Sequence, residues 1–206
     1  AKPETVEAYV GALHREIDLV ARHIDNSRQI SQIHYGGGSP TSIPIPMLKE
    51  LNDHLLSIAP TIASPEIAIE CHPGYLSEHD WQQLTACGFT RYSIGIQDMK
   101  EEVLKAVNRR PSLLPLQEIL QILRASGATV NFDFIYGLPL QSVDSFRKTI
   151  EQASALRPDR LVTFSYAHLP KLFPRQQILD RMGLPATEEK NRMYETASEI
   201  LRQAGY

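Results

Sequence analysis

The chain has 206 residues, 42% hydrophobic and 22% charged, with a formal net charge of -3. That balance suits one packed domain and gives no electrostatic case for nucleic acid or an anionic membrane surface as a partner. No apolar run approaches the roughly 18–20 residues of a membrane span, and residues 1–7 lack the pattern of a secretory signal. The two cysteines, Cys71 and Cys87, make neither a CxxC pair nor a disulfide framework, so the expected compartment is a reducing cytoplasm.

The first periodic segment, 3–23, places Val6, Tyr9, Val10, Leu13, Ile17 and Val20 at helical spacing. ISQIHY (30–35) then has strand length and composition, and the glycine run Gly36-Gly37-Gly38-Ser39-Pro40-Thr41 follows it. A second helix is expected over 44–58, from Met47, Leu48, Leu51 and Leu55, and EIAIEC (66–71) reads as the second strand. Ser77 reads as the cap of a helix reaching about residue 87, with Asp80 at its third position. RYSIGIQ (91–97), TVNFDFIY (129–136) and RLVTFSY (160–166) are the remaining strands. Helices are expected over 113–125, 142–156 and 187–204, the last opened by Thr187 with Glu188 and Glu189 favoured by the helix dipole.

Strands and helices alternate throughout, which argues for a parallel α/β sheet. An open doubly wound sheet and a partial (β/α) barrel of the TIM type both fit, with about five strands and the helices outside. No linker divides the chain, so residues 1–206 read as a single domain. Both ends read as cut, with the helix over 187–205 leading toward a further segment.

In parallel α/β folds, ligands sit at the carboxyl ends of the strands. There the sequence places the glycine loop, Glu70, Gln97, Asp133, Gly137-Leu138-Pro139 and Tyr166-Ala167-His168. Consecutive glycines admit positive φ and let a ligand approach the backbone without Cβ obstruction. Neither the dinucleotide fingerprint nor the P-loop lysine is present. Glu70 is a carboxylate on an otherwise apolar strand. Asp133 lies between Phe132 and Phe134, where a solvated face is not expected. Arg109, after a helix, offers a clamp for a carboxylate. Together these groups suit a zwitterionic amino acid joined to a ribose.

YGGGSPTSI, IECHPGYL, RYSIGIQ, VNR and FIYGLP occur here in an order that resembles the radical S-adenosylmethionine enzymes of the oxygen-independent coproporphyrinogen III oxidase kind. FSYAHLPKLFPRQ is the most specific stretch, and it is similar to the oxidases rather than to their haem-chaperone relatives. The resemblance is clearest from Ile33 to Tyr206. It implies a partial (β/α) barrel, S-adenosylmethionine and a [4Fe–4S] cluster as cofactors, and coproporphyrinogen III and an electron donor as partners. It also implies a reaction: a radical derived from S-adenosylmethionine takes a β-hydrogen from a propionate of coproporphyrinogen III, loss of carbon dioxide and one electron leaves a vinyl group on the ring, and two rounds give protoporphyrinogen IX.

Residue by residue, the resemblance implies that Gly37, Gly38 and Ser39 surround the methionyl amino group and that Glu70 pairs with it. Arg109 would hold the carboxylate, Gln97 and Asp133 the ribose hydroxyls, and Ile135 and Ala167 the adenine. Ser39 stands where the family more often has Thr, which keeps the hydroxyl. Family members carry CxxxCxxC upstream of the glycine loop, and no such motif occurs here. The chain is therefore expected to hold no metal cluster of its own and to be inactive alone. A non-catalytic haem binder, using His168 or Cys71-His72-Pro73, and a generic phosphate-binding β/α enzyme are the alternative readings.

Overall fold

The computed structural model describes residues 2–25 and 27–206. Its centre is a sheet of five parallel strands whose spatial order repeats their chain order. These are β1 (Ile30–Tyr35), β2 (Thr61–Cys71), β3 (Arg91–Gln97), β4 (Thr129–Tyr136) and β5 (Arg160–Ser165). The helices between and around them are α1 (Pro3–Ala21), α2 (Ile45–Ser57), α3 (Glu78–Thr85), α4 (Glu101–Ala106), α5 (Leu116–Ala125), α6 (Val143–Ala155), α7 (Gln177–Asp180) and α8 (Thr187–Gln203). A doubly wound sheet requires the strand order to reverse at some point. Here every crossover steps the same way, which keeps the connecting helices on one face. The sheet is a curled half-barrel with helices outside.

The pleat sorts each strand into two rows of side chains. On the helix side, Ile67 and Ile69 of β2, Tyr92, Ile94 and Ile96 of β3, and Val130, Phe132 and Phe134 of β4 are buried. They form one core with Leu48, Trp81, Leu84, Ile119, Leu123, Phe146 and Ile150 from the helices, and with Met193 and Ala197 of α8. On the inner face the register lines up Glu70, Ser93 and Asn131, then Gly95 and Asp133. That second row is polar and half open.

Four strands were readable almost to the residue, while β2 is longer than its sequence signal. Its first residues, 61–65, contain Pro65, which cannot donate to a ladder, and the pairing of β1 with β2 shifts register there. Helix α4 has six residues and α7 four, too few for an apolar period to show. Ser77 caps α3 as expected, in a reciprocal capping box with Asp80. Thr187 is the first helical residue of α8, but Ala186 holds the cap position and no side chain caps that end. Among the described residues, no helix is long and apolar enough to cross a membrane.

Candidate functional site

Because the strands are parallel, their carboxyl ends share one rim. The loop after β1 runs along it with Gly37 at φ 78° and Gly38 at φ 58°, a left-handed region that costs a residue with a Cβ roughly 1–2 kcal/mol. Gly36 is needed for a different reason. A Cβ there would lie 2.7 Å from His34 Nε2 and 2.9 Å from Glu70 Oε1. Glu70 ends that crowding in an organised way. Its Oε2 accepts the Gly37 N–H at 3.3 Å, and its Oε1 lies 3.2 Å from His34 Nε2. Each carboxylate oxygen retains lone-pair capacity for a cationic ligand group.

Arg109 reaches the rim because α4 ends in Asn108 at φ 54°, with the Arg109 N–H returned to Leu104 O at 2.8 Å. The guanidinium donates to Gly95 O at 2.5 Å. A Cβ on Gly95 would fall 2.7 Å from both Arg109 Nη2 and Gln97 Nε2, so the glycine is the space these two side chains occupy. Burial lowers the Arg109 pKa, while Tyr75 and Asp133 oppose that shift. The group remains a cation. Gln97 sits at φ 70°, where the β3–β4 register shifts. Such strain persists only where its surroundings over-determine it. Next to it, buried Asp98 accepts from Lys100 N at 2.6 Å, Gln141 Nε2 at 2.7 Å and Thr149 Oγ1 at 3.0 Å. Gln141 in turn donates to Ile135 O and accepts the Leu138 N–H, so one buried carboxylate ties the ends of β3 and β4 together.

Asp133 faces the inner row, partly buried and among polar side chains. Ser93 Oγ donates to its Oδ2 at 2.7 Å, and Asn131 Nδ2 donates to its Oδ1 at 2.7 Å. Asn131 Oδ1 is left buried without a partner among the described residues. His72 closes the rim below Arg109. Its Nδ1 accepts the Gly74 N–H at 3.1 Å, so the neutral ring carries its proton on Nε2. Burial, reinforced by the charge of Arg109, lowers its pKa to about 4. Burial and the neighbouring Glu70 carboxylate push the Cys71 thiol upward, which makes it an inert thiol.

A polar pocket of about 150 Å³ collects these groups. Six of the nine residues singled out from the sequence line it: Gly38, Ser39, Glu70, Gln97, Arg109 and Asp133. Gly37 borders it through its bond to Glu70. Ile135 lies two residues beyond Asp133 on the same strand face. Ala167 is exposed, two residues past the end of β5, and its carbonyl accepts from Gln176 Nε2. Sequence reasoning missed Ser93, Gly95 and Asn131, which show only once β3 and β4 are in register, and passed over His34. His72 entered it only as a possible haem ligand. A larger groove of about 730 Å³ flanks the other side of the glycine loop, walled by Tyr9, Leu13, Ile17 and Val20 of α1. It is mostly apolar and holds little of the rim chemistry.

Residues 7–153 match the family model described as the Radical SAM superfamily. The chain belongs to the radical SAM superfamily. It is 38% identical over 204 residues to an oxygen-independent coproporphyrinogen III oxidase of Pseudomonas aeruginosa, covering 96% of this chain and 44% of that protein. The corresponding protein of Helicobacter pylori is 35% identical over 200 residues, with 96% and 44% covered. Among solved structures, coproporphyrinogen III oxidase from Escherichia coli, described as a radical SAM enzyme, superposes with a TM-score of 0.91 at 35% identity, over 98% of this chain and 46% of that one. This radical SAM chain thus spans less than half the length of the relatives it matches.

Proposed function

We propose that this chain forms the S-adenosylmethionine-binding part of an oxygen-independent coproporphyrinogen III oxidase, one domain of a longer enzyme. The observation that carries the reading is the convergence of a glycine cradle, a carboxylate, a guanidinium and a second carboxylate on one 150 Å³ polar pocket. Those groups match the charges of a zwitterionic amino acid and the hydroxyls of a ribose. Glu70 holds the ammonium, which the Gly37 N–H and His34 pre-position it to do. Arg109, fixed on Gly95 O, meets the carboxylate. Gly38 and Ser39 approach the methionyl part, and Gln97 and Asp133 accept from the ribose. Ile135 and Ala167 would pack on the adenine.

When bound, S-adenosylmethionine supplies the hydrogen abstraction that starts oxidative loss of two propionate carboxyls. The cluster is another matter. The CxxxCxxC motif of the family supplies three thiolates to a [4Fe–4S] centre, and this sequence has two cysteines, both buried and free. Its ligands must lie outside these residues, and so must the entry of an electron from a donor. Free thiols fit a reducing cytoplasm. Coproporphyrinogen III is the substrate on this reading, supported by the names of the relatives at 35–38% identity.

Calorimetric titration of the chain with S-adenosylmethionine tests the pocket. Glu70→Gln and Asp133→Asn should each weaken binding about tenfold or more, the size of a lost hydrogen bond to a charged group. Unchanged affinity in both variants would refute the assignment. The full-length protein, loaded with cluster and supplied with a reductant under anaerobic conditions, should convert coproporphyrinogen III to protoporphyrinogen IX. Absence of that product would refute the substrate reading.

A further inference from the structure

The segment that follows β5 behaves unlike the other rim loops. The turns after β2 and β4 each bury one leucine, Leu76 and Leu138, and expose one large apolar residue, Tyr75 and Leu140. After β5, Leu169, Leu172 and Phe173 are instead 47%, 71% and 57% exposed. This is not a loose tail. Gln176 Oε1 accepts the Leu169 N–H at 2.6 Å, and its Nε2 donates to Ala167 O at 3.1 Å. His168 Nε2 lies 2.5 Å from Asp180 Oδ1. The N–H groups of Leu172 and Phe173 both return to Leu169 O, at 3.0 and 2.9 Å. The segment thus spends its polar groups on its own shape and turns its apolar side chains outward. A cluster of that kind on a rim marks a contact surface.

Its charge is as distinctive as its apolarity. Lys171, Arg175 and Arg181 are interleaved with the apolar residues, on a chain whose net charge is -3. Asp180 is the single carboxylate between residues 166 and 183, and it is engaged by His168. The surface therefore offers flat apolar cover edged with cations that no acid of the same segment neutralises. It also begins where β5 leaves the sheet, beside β4 and its Asp133.

We propose that residues 167–182 bind the face and the carboxylates of a polycarboxylated tetrapyrrole macrocycle. Leu169, Leu172 and Phe173 lie against the ring, and Lys171, Arg175 and Arg181 meet the acid groups. This inference rests on the substrate reading above and assigns that substrate a docking surface on this chain. Arginine suits the role because its planar fork pairs with carboxylates two bonds at a time and also stacks on aromatic rings, here the single pyrroles.

The test is fluorescence anisotropy of coproporphyrin III, the stable oxidised macrocycle, titrated with the full-length protein. Leu172→Ser and the double variant Lys171→Glu/Arg175→Glu should each weaken binding about tenfold or more, the double variant in a salt-dependent way. Lys171→Arg should stay within about threefold of the parent, since it keeps the charge and can pair with the same acid group. Thermal unfolding should be unchanged in all three, because the residues are exposed. Equal porphyrin affinity in parent and variants overturns the inference and leaves the substrate reading intact. Failure of the parent to bind porphyrin, in protein that still turns over coproporphyrinogen III anaerobically, also overturns the inference alone. If phosphatidylglycerol vesicles, and not porphyrin, show the variant dependence, the surface is a membrane contact and the inference is wrong.

Discussion

The two faces of the sheet are built from the same five strands, yet they obey different rules. The helix-facing row is Ile67, Ile69, Tyr92, Ile94, Ile96, Val130, Phe132 and Phe134, almost wholly withdrawn from solvent. Any comparable set of large apolar residues would serve there, because burial is nondirectional. The inner row is Glu70, Ser93, Gly95, Gln97, Asn131 and Asp133, and every member but Gln97 is held by a named hydrogen-bond partner. One face carries stability through area, and the other carries geometry through individual bonds. The contrast shows how a half-barrel keeps its chemistry separate from its core: the pleat places consecutive residues on opposite sides, so Phe132 and Asp133 can be neighbours in sequence and do unrelated work.

Substitutions can break that separation. Phe132→Ala, at zero exposure, should cost about 3–5 kcal/mol in denaturant unfolding, through lost transfer free energy and a cavity. If its loss is below 1 kcal/mol, the outer row is not the source of stability. Gly95→Ala tests the opposite face. Its Cβ would take the space of Arg109 and Gln97, so S-adenosylmethionine affinity should fall about tenfold or more while the unfolding midpoint moves little. A large stability loss with affinity intact would reverse the assignment. Ser77→Ala removes one half of the capping box of α3, a helix of the outer layer, and should cost about 1 kcal/mol with no effect on ligand binding.

A further effect is a pH dependence. His72 has a folded pKa of about 4, below its ordinary value of 6.5, because burial and Arg109 penalise the charged ring. Between pH 6.5 and 4 the unfolded chain takes up a proton that the folded chain refuses. Stability from this group is therefore complete above pH 6.5 and declines as pH falls toward 4. Thermal unfolding of His72→Asn across that window should show a flatter slope than the parent. An identical slope would mean that His72 is not held neutral.

Much of the site was legible because its residues carry their own signals. Three glycines before Ser39-Pro40 and an acid at the end of each of two apolar strands stand out in a linear reading. Asp133 was found, but not the polar partners around it. Ser93 and Asn131 make its face polar. Neither of these is unusual in its own stretch of chain. They matter because β3 and β4 pair with Ser93 beside Asn131 and Gly95 beside Asp133. Helix α4 was invisible for a different reason, since six residues make fewer than two turns.

What the sequence determined by itself was local: five strands, the longer helices, the Ser77 cap and the glycine loop, all set by side-chain period, β-branching and turn chemistry acting over a few residues. It also confined the chemistry to the strand ends, given parallel pairing. What only the tertiary structure decided was relational. It chose the half-barrel over the doubly wound sheet, through a strand order that never reverses. It set Arg109 against Gly95 across 14 positions of sequence and Glu70 against Gly37 across 33. It turned the apolar residues after β5 outward instead of in. Hydrogen bonds and exclusion of water act through space at distances of a few ångströms. Which residues come that close is set by register and crossover direction, which no single segment encodes.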